Sequence, residues 1–325
     1  MKHVSVLLPH YVNLAGLENA RQGLLETNEF LKTQGKSPIF NIEIVGVIPE
    51  MHVNNGQYAI KADKLLREIK TTDIVIIPPI QNNIAEALQL NHEFYPWVNA
   101  QHQAGAQIVS LCLGAFLLAS TGLLNGKDCV THWRASEPFK QLFPKVNLLS
   151  DKIMTDEDGI YTGGGAFSSA NLILYIIEKI VDRETAIYCS KIFQIDAGRT
   201  SQSPFIIFKA QKNHADADVE TAQTFIEKNY MNKIIVDDLC NLLGIGRRTF
   251  ERRFKKATAN TILEYIQRTR VEAAKKQLEL GVKTVNEIMF DVGYLDTKAF
   301  RTTFKKITGL SPVEYKNKYN KVLVS

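Results

Sequence analysis

The sequence predicts two domains of different fold class, an α/β domain at residues 1–208 and an all-α domain at residues 219–321, joined by a linker at 209–218. Three observations support this division. A length of 325 residues is more than one core of ordinary size encloses. Strand-like and helix-like patterns alternate before the linker. Only helical patterns follow it, and they contain a motif that occurs twice.

Short apolar runs alternate with segments of helical spacing in the N-terminal domain. Strands are expected at Val4–Leu8, Phe40–Val47, Ile74–Ile77 and Ile108–Leu111. Helices are expected at Leu14–Leu31, Lys61–Ile69, Ile84–Gln103, Gly114–Ser120 and Ser168–Ile180. Such alternation predicts a flavodoxin-like fold, with a mainly parallel sheet and helices on both of its faces.

A cysteine stands between a predicted strand and a predicted helix in Ser110-Leu-Cys-Leu-Gly114. This is the arrangement of a nucleophile elbow, in which the side chain projects above the sheet edge and the helix N-terminus favours a thiolate. His132 follows Cys112 by 20 residues and is a candidate proton partner. A cysteine after a buried strand is also a common small core residue. Both interpretations stay open on this evidence.

The same stretch resembles a known family. Ser110–Ala115, Leu117–Gly126 and Thr131-His-Trp133 are similar to the DJ-1/PfpI (class I glutamine amidotransferase-like) superfamily, in particular to its branch fused to AraC-type DNA-binding domains. Thr162–Ala166 and Arg199–Phe205 fit the same pattern. The resemblance covers nearly all of residues 1–208 and implies the α/β fold predicted above.

The chain departs from this family where its enzymatic members do chemistry. They activate the cysteine with a carboxylate, whereas this chain has Asn13 at the most similar position, with Glu18 nearby at a different spacing. Their Gly-Gly after the third strand is Pro78-Pro79 here, and a proline has no N–H to offer an oxyanion. Leu113 replaces a His or Thr. These losses predict no catalytic residues; the alternative is a cysteine-dependent hydrolase or hydratase that carries a DNA-binding module.

A pocket is expected even without catalysis, because open α/β sheets bind ligands outside the carboxyl ends of their strands. The predicted effector pocket consists of Asn13, Pro78, Cys112, Leu113, His132 and Gly164. The domain is expected to sense a small molecule, to dimerise, or to do both. No cofactor and no metal site is expected.

The positive charge of the chain belongs to its C-terminal part. Residues 217–321 contain 20 Lys and Arg against 13 Asp and Glu, whereas the rest contains 19 against 21. Clustered positive charge is typical of a domain that binds a phosphate backbone, although a solvated basic face is the alternative. Four scattered cysteines, a strand-like run near Met1 and no long apolar run predict a cytoplasmic protein with no signal peptide and no membrane partner.

Residues Val236–Tyr315 contain one pattern twice. The apolar residues and the glycine of the first copy recur 49 positions later, and its phenylalanine and lysine pairs recur 50 positions later. The pairs include Gly244 with Gly293, Phe250 with Phe300, and Phe254 with Phe304. Each copy predicts a helix, a glycine-containing turn and a second helix rich in Arg and Lys. A supersecondary unit of this kind used twice predicts two helix-turn-helix units.

The second helix of each unit is the candidate recognition helix. Arg247–Lys256 and Asp296–Ile307 each direct a phenylalanine pair inward, and the opposite faces are expected to contact DNA. These faces carry Arg247, Arg248, Glu251, Arg252 and Lys255 in the first unit, and Thr297, Lys298, Arg301, Thr302 and Lys305 in the second. Arg can bind guanine bidentately, Glu can accept from cytosine and Lys can meet phosphate. We expect more base specificity from the first unit and more phosphate affinity from the second.

A long helix from Thr261 to about Leu280, roughly 27 Å long, separates the two units. This length is close to the ~34 Å between successive major-groove faces. Helices are also expected at Val219–Tyr230, with Ala222, Phe225 and Ile226 on the apolar face, and at Ser311–Glu314, where a last helix begins. We therefore expect both units to contact one DNA duplex.

The sequences Arg247–Phe254 and Arg270–Ala274, with the run from Gly293 to Pro312, resemble the AraC-type DNA-binding domain over residues 219–317. The resemblance implies two units that enter adjacent major grooves. Gly246 stands where the family often has a capping Ser, and Ala259-Asn260 where it usually has a glycine. The expected function is a sequence-specific transcriptional regulator, an activator, with DNA binding without sequence preference as a further alternative. Its candidate partners are double-stranded DNA, a small-molecule effector, RNA polymerase and a second copy in a homodimer.

Overall fold

The computed structural model describes residues 1–81, 83–165, 169–196, 198, 200–208, 212 and 214–320. The chain divides into two compact units, Met1–Gln202 and Ser203–Ser325. This division falls six residues before the domain end expected at 208, because residues 203–208 lie with the C-terminal unit. Part of the expected linker lies outside the described residues, so the linker itself stays a prediction.

The N-terminal unit is built on a seven-stranded sheet with the order β10-β11-β7-β6-β1-β2-β5. The strands of the unit are β1 (Lys2–Leu8), β2 (Phe40–Gly46), β3 (Glu50–Val53), β4 (Tyr58–Lys61), β5 (Lys64–Leu65), β6 (Ile74–Ile77), β7 (Gln107–Leu111), β8 (Asp128–Cys129), β9 (Asn147–Leu148), β10 (Met154–Glu157) and β11 (Ile160–Gly163). Only the pair β10–β11 is antiparallel within the large sheet. The strands β3 and β4 form a separate hairpin, and β8 pairs with β9.

Helices cover both faces of the sheet. They are α1 (Leu14–Thr33), α2 (Ile84–Leu90), α3 (Phe94–Gln103), α4 (Gly114–Ser120), α5 (Ser136–Leu142), α6 (Ser169–Ile180) and α7 (Arg183–Ile192). Alternate residues of β6 point to opposite faces of the sheet. Ile74 and Ile76 therefore lie in one apolar core, and Val75 and Ile77 lie in the other. The first core includes α1, α6 and α7, and the second includes α3 and α4. The predicted α/β class, a mainly parallel sheet with helices on both faces, is confirmed.

Two predicted helices of this unit are wrong. The segment Lys61–Ile69 is not one helix: β4 ends at Lys61, β5 follows, and one 3-10 turn spans Leu66–Glu68. Asp63 exchanges two hydrogen bonds of 2.8 Å with the backbone of Ile44, so this segment lies along the edge of β2 instead. The expected helix Ile84–Gln103 breaks at Asn91, whose buried amide donates to the carbonyls of Ala87 and His10.

In the described part of the C-terminal unit, the regular structure consists of α-helices and a 3-10 turn at Ser203–Phe205. Its helices are α8 (Ala217–Asn229), α9 (Val236–Leu243), α10 (Arg247–Thr258), α11 (Ile262–Leu280), α12 (Val285–Asp291), α13 (Thr297–Thr308) and α14 (Pro312–Tyr319). Capping boxes begin α11 at Thr261, α12 at Thr284 and α14 at Ser311, where each N-cap hydroxyl accepts from the backbone three residues on. Phe225, expected on the apolar face of α8, is instead 37% exposed, since Val219, Ala222 and Ile226 fill that face.

The sequence repeat is also a repeat in space. One core lies under α9 and α10, the other lies under α12 and α13, and α11 contributes its first half to the former and its second half to the latter. Tyr265 packs edge-on against Phe254 and donates to Glu227, and Tyr315 packs in the same way against Phe304 and donates to Glu279. The two helix-turn-helix units are therefore equivalent structures built on one shared helix.

Candidate nucleic-acid interface and cysteine site

The first recognition helix, α10, is fixed by its apolar side. Phe250 and Phe254 are fully buried one turn apart, so the opposite face of the helix is directed away from the core. Gly246 is the N-cap and offers no side-chain cap, as its sequence position indicated. The predicted contact residues Arg248, Arg252 and Lys255 are all exposed, and their side chains make no hydrogen bond within the described part of the chain. They are available to a partner in solution.

Two of the predicted contact residues on α10 bind each other. Arg247 Nε donates to Glu251 at 3.0 Å, and its Nη1 donates to Asp237 of α9 at 3.1 Å. All three side chains are about half exposed or more, and ion pairs of this kind contribute only about 0–1 kcal/mol. In the free protein Arg247 thus bridges the two helices of its unit, and Glu251 would have to exchange this arginine for a base.

Arg253, which the sequence did not single out, has a structural role. It forms a bidentate hydrogen-bond pair with Asp216, at 2.8 and 2.6 Å, and a further contact of 2.8 Å with Asp218. These carboxylates stand at the N-terminus of α8, and Asp216 also caps that helix by accepting from Val219. Arg253 therefore attaches α8 to the inner side of α10 rather than contributing to its exposed face.

The second recognition helix, α13, presents mainly positive charge on its exposed face. Asp296 caps it by accepting from the N–H of Ala299 at 2.6 Å, and Phe300 and Phe304 are fully buried. The five predicted contact residues Thr297, Lys298, Arg301, Thr302 and Lys305 are all exposed. The helix has four cationic side chains and no acidic one, whereas α10 has six cationic side chains and one acidic one. Both faces are suited to a phosphate backbone.

The spacing of the two recognition helices is held by more than α11. Arg270 of α11 donates to the carbonyls of Tyr230 and Asn232, both at 2.8 Å, and lies over the ring of Tyr294 at 5.3 Å. Gly293, at φ +83°, lies so close to the loop after α8 that a Cβ would be 2.5 Å from the carbonyl oxygen of Met231. The loop that precedes the first unit is therefore packed against the turn of the second.

A strap formed by residues 203–208 crosses both units of the C-terminal domain. Lys275, whose side chain is only 5% exposed, donates to the carbonyl of Ile206 at 2.6 Å and pairs with Glu272 at 2.8 Å. The carboxylate of Glu272 also accepts from the N–H of Phe208. Toward the other end of the strap, Tyr319 donates to the carbonyl of Pro204. Sequence patterns did not reveal the strap, because its backbone carbonyls accept from the side chains of Lys275 and Tyr319, which lie more than 60 residues away in the sequence.

Cys112 has the backbone of a nucleophile elbow and a buried thiol. It joins β7 to α4 with a φ of +53°, and its N–H donates to the carbonyl of Gly163 at 2.7 Å. The side chain is 4% exposed, and burial raises the pKa of its thiol to about 11, although a hydrogen bond with the backbone of Leu113 acts in the opposite direction. A raised pKa opposes the formation of the thiolate that a nucleophile elbow uses.

His132 does not act as the proton partner of Cys112 in this structure. Its Nδ1 accepts from the N–H of Arg134 at 3.1 Å and caps the 3-10 turn Trp133–Ala135. Burial, and to a lesser extent the charge of Arg134, lowers the pKa of His132. No hydrogen bond of the described residues joins its ring to the Cys112 sulfur. The neighbouring Thr131 contacts the backbone of Cys112, because its hydroxyl donates to the Cys112 carbonyl at 3.0 Å.

Asn13, at the position where enzymatic relatives have an activating carboxylate, has a structural role. Asn13 is the N-cap of α1: its Oδ1 accepts from Gly16 at 2.8 Å, and its Nδ2 donates to Gln81 at 3.1 Å. Glu18, the nearby alternative, is held by two hydrogen bonds from Arg21, which keep the pKa of Glu18 below its usual range. No described hydrogen bond links either side chain to Cys112.

The remaining predicted pocket residues lie around the elbow. Pro78 is buried, and a Cβ on Gly114 would be 2.7 Å from its carbonyl oxygen, so α4 begins directly against it. Leu113 is partly buried beside Cys112. Gly164 is covered by the amide of Gln202, which a Cβ at that position would meet at 2.2 Å. The six residues occupy the same end of the sheet, but a ligand pocket formed by them stays a prediction.

Comparison with known proteins finds a family model that matches each part of the chain. A model of the DJ-1/PfpI family matches residues 26–179, and a model of a helix-turn-helix domain matches residues 239–318. The HTH-type transcriptional regulator GbdR of Pseudomonas aeruginosa (strain UCBPP-PA14) is 23% identical over 224 residues, which are 69% of this chain and 61% of GbdR. The HTH-type transcriptional regulator GlxA of Rhizobium meliloti (strain 1021) is 24% identical over 213 residues, 64% of each protein. The chain thus matches less than two thirds of the length of these curated relatives.

A solved structure agrees with the fold of the N-terminal unit. The structure of Drosophila melanogaster DJ-1beta superposes on this chain with a TM-score of 0.50 at 17% sequence identity. The superposition covers 60% of this chain and 98% of the DJ-1beta chain. At this identity the similarity concerns the fold alone. Among the described residues, no helix combines the length and the apolar character that a membrane-crossing segment needs.

Proposed function

Because the chain joins a DJ-1/PfpI domain to an AraC-type helix-turn-helix domain, we propose that it is a sequence-specific DNA-binding transcriptional regulator. The observation that carries this proposal is the pair of basic recognition helices mounted on α11. Its 19 residues span about 28 Å, near the ~34 Å between successive major-groove faces of one duplex. The curated relatives that match both parts of the chain are named as transcriptional regulators, which supports the same conclusion.

The N-terminal domain controls the DNA-binding domain without catalysis. Support comes from three positions: burial raises the pKa of the Cys112 thiol, His132 caps a turn, and Asn13 caps a helix. A hydrolase or hydratase of this fold needs the first as a nucleophile and the others as its acid–base partners. The competing enzymatic function would require Cys112 to be acidic and Cys112→Ala to abolish turnover.

Further features of this function are also proposals. An effector is expected near Asn13, Pro78, Cys112, Leu113, His132 and Gly164, and the domain is expected to dimerise. The protein acts in the cytoplasm as an activator that contacts RNA polymerase. In DNA recognition, Arg248 and Arg252 bind bases, and the lysines and threonines of α13 mainly bind phosphates.

The experiment is selection of genomic fragments bound by the purified chain, followed by affinity measurements with variants of α10. Arg252→Ala is expected to weaken binding by about 1–3 kcal/mol and to relax the preference at one base pair. Arg252→Lys retains the charge but not the bidentate geometry, so the preference should still relax. Unchanged affinity and preference in both variants would contradict the role of Arg252.

Two control variants separate specificity from charge. Lys298→Ala is expected to weaken binding evenly across sequences and to lower the salt dependence by about one counterion. Arg183→Ala removes an exposed arginine of α7 in the other unit and should leave binding unchanged. If binding shows no sequence preference in the unaltered chain, the domain is a general DNA-binding module and the proposed regulator function fails.

A further inference from the structure

The order of the central strands creates a topological switch point between β1 and β6. The chain leaves β1 to form β2 on one side, and it later enters β6 on the other side of β1. The loops that follow β1 and β6 therefore run apart at the carboxyl ends of these strands. In open α/β sheets the crevice left at such a point is where ligands bind.

A cavity of about 610 Å³ lies at this switch point. Val12 and its two preceding residues line it from the loop after β1, and Gln81 lines it from the loop after β6. The hairpin β3–β4 closes the other side with residues Met51–Gln57. Its volume falls within the ~300–1,000 Å³ of small-molecule sites. None of the six residues expected around the cysteine lines it.

Backbone strain is concentrated around this cavity. Tyr11, Asn54 and Asn55 have φ values of +62°, +51° and +57°, and they are three of the seven non-glycine residues with positive φ in the described chain. Asparagines adopt this region readily in hairpin turns. An aromatic residue does not, so the left-handed conformation of Tyr11 is strained. Its carbonyl is held there by the N–H of Gln81 at 2.8 Å, and strain of this kind is typical of ligand sites.

The chemistry of the lining selects an uncharged ligand. The lining contains no Lys, Arg, Asp or Glu among the described residues, and the neighbouring carboxylate of Glu50 is paired with His52 at 3.4 Å. Its polar side chains are His10, His52, Asn54, Asn55, Gln57 and Gln81. Each carboxamide both donates and accepts, which matches hydroxyl groups. Val12, Met51 and Val53 supply an apolar wall, and Tyr11 adds an aromatic ring.

We propose that this cavity binds a small uncharged polyhydroxylated molecule of about monosaccharide size. Gln81 is the central contact, because it accepts from Asn13 at 3.1 Å and donates to Asn54 of the hairpin at 3.3 Å. A bound hydroxyl that replaces Asn54 at Gln81 connects the ligand to the start of α1. The role of this ligand as an effector rests on the proposed function, whereas its binding does not.

The test uses saturation-transfer NMR on the full chain without DNA. The probes are glucose, ribose and sorbitol, with gluconate and glucosamine as charged counterparts of similar size. At least one neutral probe should give a signal, and the charged counterparts should give none. Gln81→Ala is expected to weaken binding of the neutral probe about tenfold, because the variant loses one to two hydrogen bonds to the ligand.

Two matched variants locate the site. Leu90→Trp places an indole at the rim of the cavity, where Leu90 is 42% exposed, and should abolish the signal. Leu142→Trp makes the same change at a 53% exposed position away from the cavity and should retain it. The proposal is overturned if no neutral probe gives a signal, if Leu90→Trp retains it, or if charged counterparts bind equally. DNA binding is measured separately, so its failure leaves this result unaffected.

Discussion

The two recognition helices end at equivalent positions with different residues, and this difference predicts a pair of opposite stability effects. Ala259 follows α10 with a φ of +56°, and Gly309 follows α13 with a φ of +76°. In each case the N–H of the cap residue donates to a lysine carbonyl one turn earlier, at 2.9 and 2.8 Å. The backbone is therefore left-handed at the C-terminal end of each recognition helix. Only Gly309 adopts this conformation without the steric cost of a Cβ.

The magnitude follows from the cost of that Cβ. A left-handed L-residue costs about 1–2 kcal/mol, and a glycine loses about 0.5–1 kcal/mol more backbone entropy than alanine on folding. Ala259→Gly should therefore stabilise the domain by about 0.5–1 kcal/mol, and Gly309→Ala should destabilise it by a similar amount. A Cβ on Gly309 would be 3.6 Å from its nearest neighbour, Ser203, so no clash adds to this cost.

Hydrogen exchange of the full chain, followed by mass spectrometry, measures both effects in one protein. Protection of α10 should rise about two- to fivefold in Ala259→Gly, and that of α13 should fall by the same factor in Gly309→Ala. Urea unfolding followed by circular dichroism at 222 nm gives the matching shift in the helical transition. Shifts of the same sign in both variants would refute the strain at Ala259.

Two further predictions concern buried polar groups. Since its pKa is raised to about 11, Cys112 should react with iodoacetamide at pH 8 at least a hundredfold more slowly in the folded chain than in urea. The reaction rate, measured by peptide mass spectrometry, should rise about tenfold per pH unit toward pH 11. A rate that is fast and constant above pH 7 would support the enzymatic alternative. Lys275→Met leaves Glu272 without its buried cation and should destabilise the C-terminal unit by about 3–5 kcal/mol, while the double variant with Glu272→Gln should recover most of this loss. If both variants unfold at the same urea concentration as the unaltered chain, the strap does not depend on this pair.

Local sequence patterns predicted the C-terminal unit well, because its helices begin and end with short-range interactions. The capping boxes at Thr261 and Thr284 consist of a hydroxyl and a glutamate only three residues apart, and the glycines that indicated the turns are local signals as well. The phenylalanine pairs indicated the buried faces. The exposed position of Phe225 was missed, since the choice between neighbouring apolar residues on α8 depends on which of them meets the core.

The N-terminal unit was harder to predict wherever distant residues decide the structure. The segment Lys61–Ile69 has helical spacing but does not form a helix, because Asp63 is hydrogen-bonded to the backbone of Ile44. The helix expected through Asn91 is interrupted there, because the Asn91 amide donates to the carbonyl of His10, which is distant in the sequence. The hairpin β3–β4 and the cavity under it had no sequence pattern that revealed them. The elbow at Cys112 was recognisable, but its protonation depends on burial, which a single sequence does not give.

The most direct test of the central claim is a footprint of the purified chain on a selected genomic fragment. Two recognition helices fixed on α11, and further held by Arg270 and Gly293, should protect two patches about one helical turn, or ~10 base pairs, apart on the same face of the duplex. Arg252→Ala should weaken one patch first, and Lys298→Ala the other. A single patch, or uniform protection without sequence preference, would contradict the proposal that both units bind one DNA site.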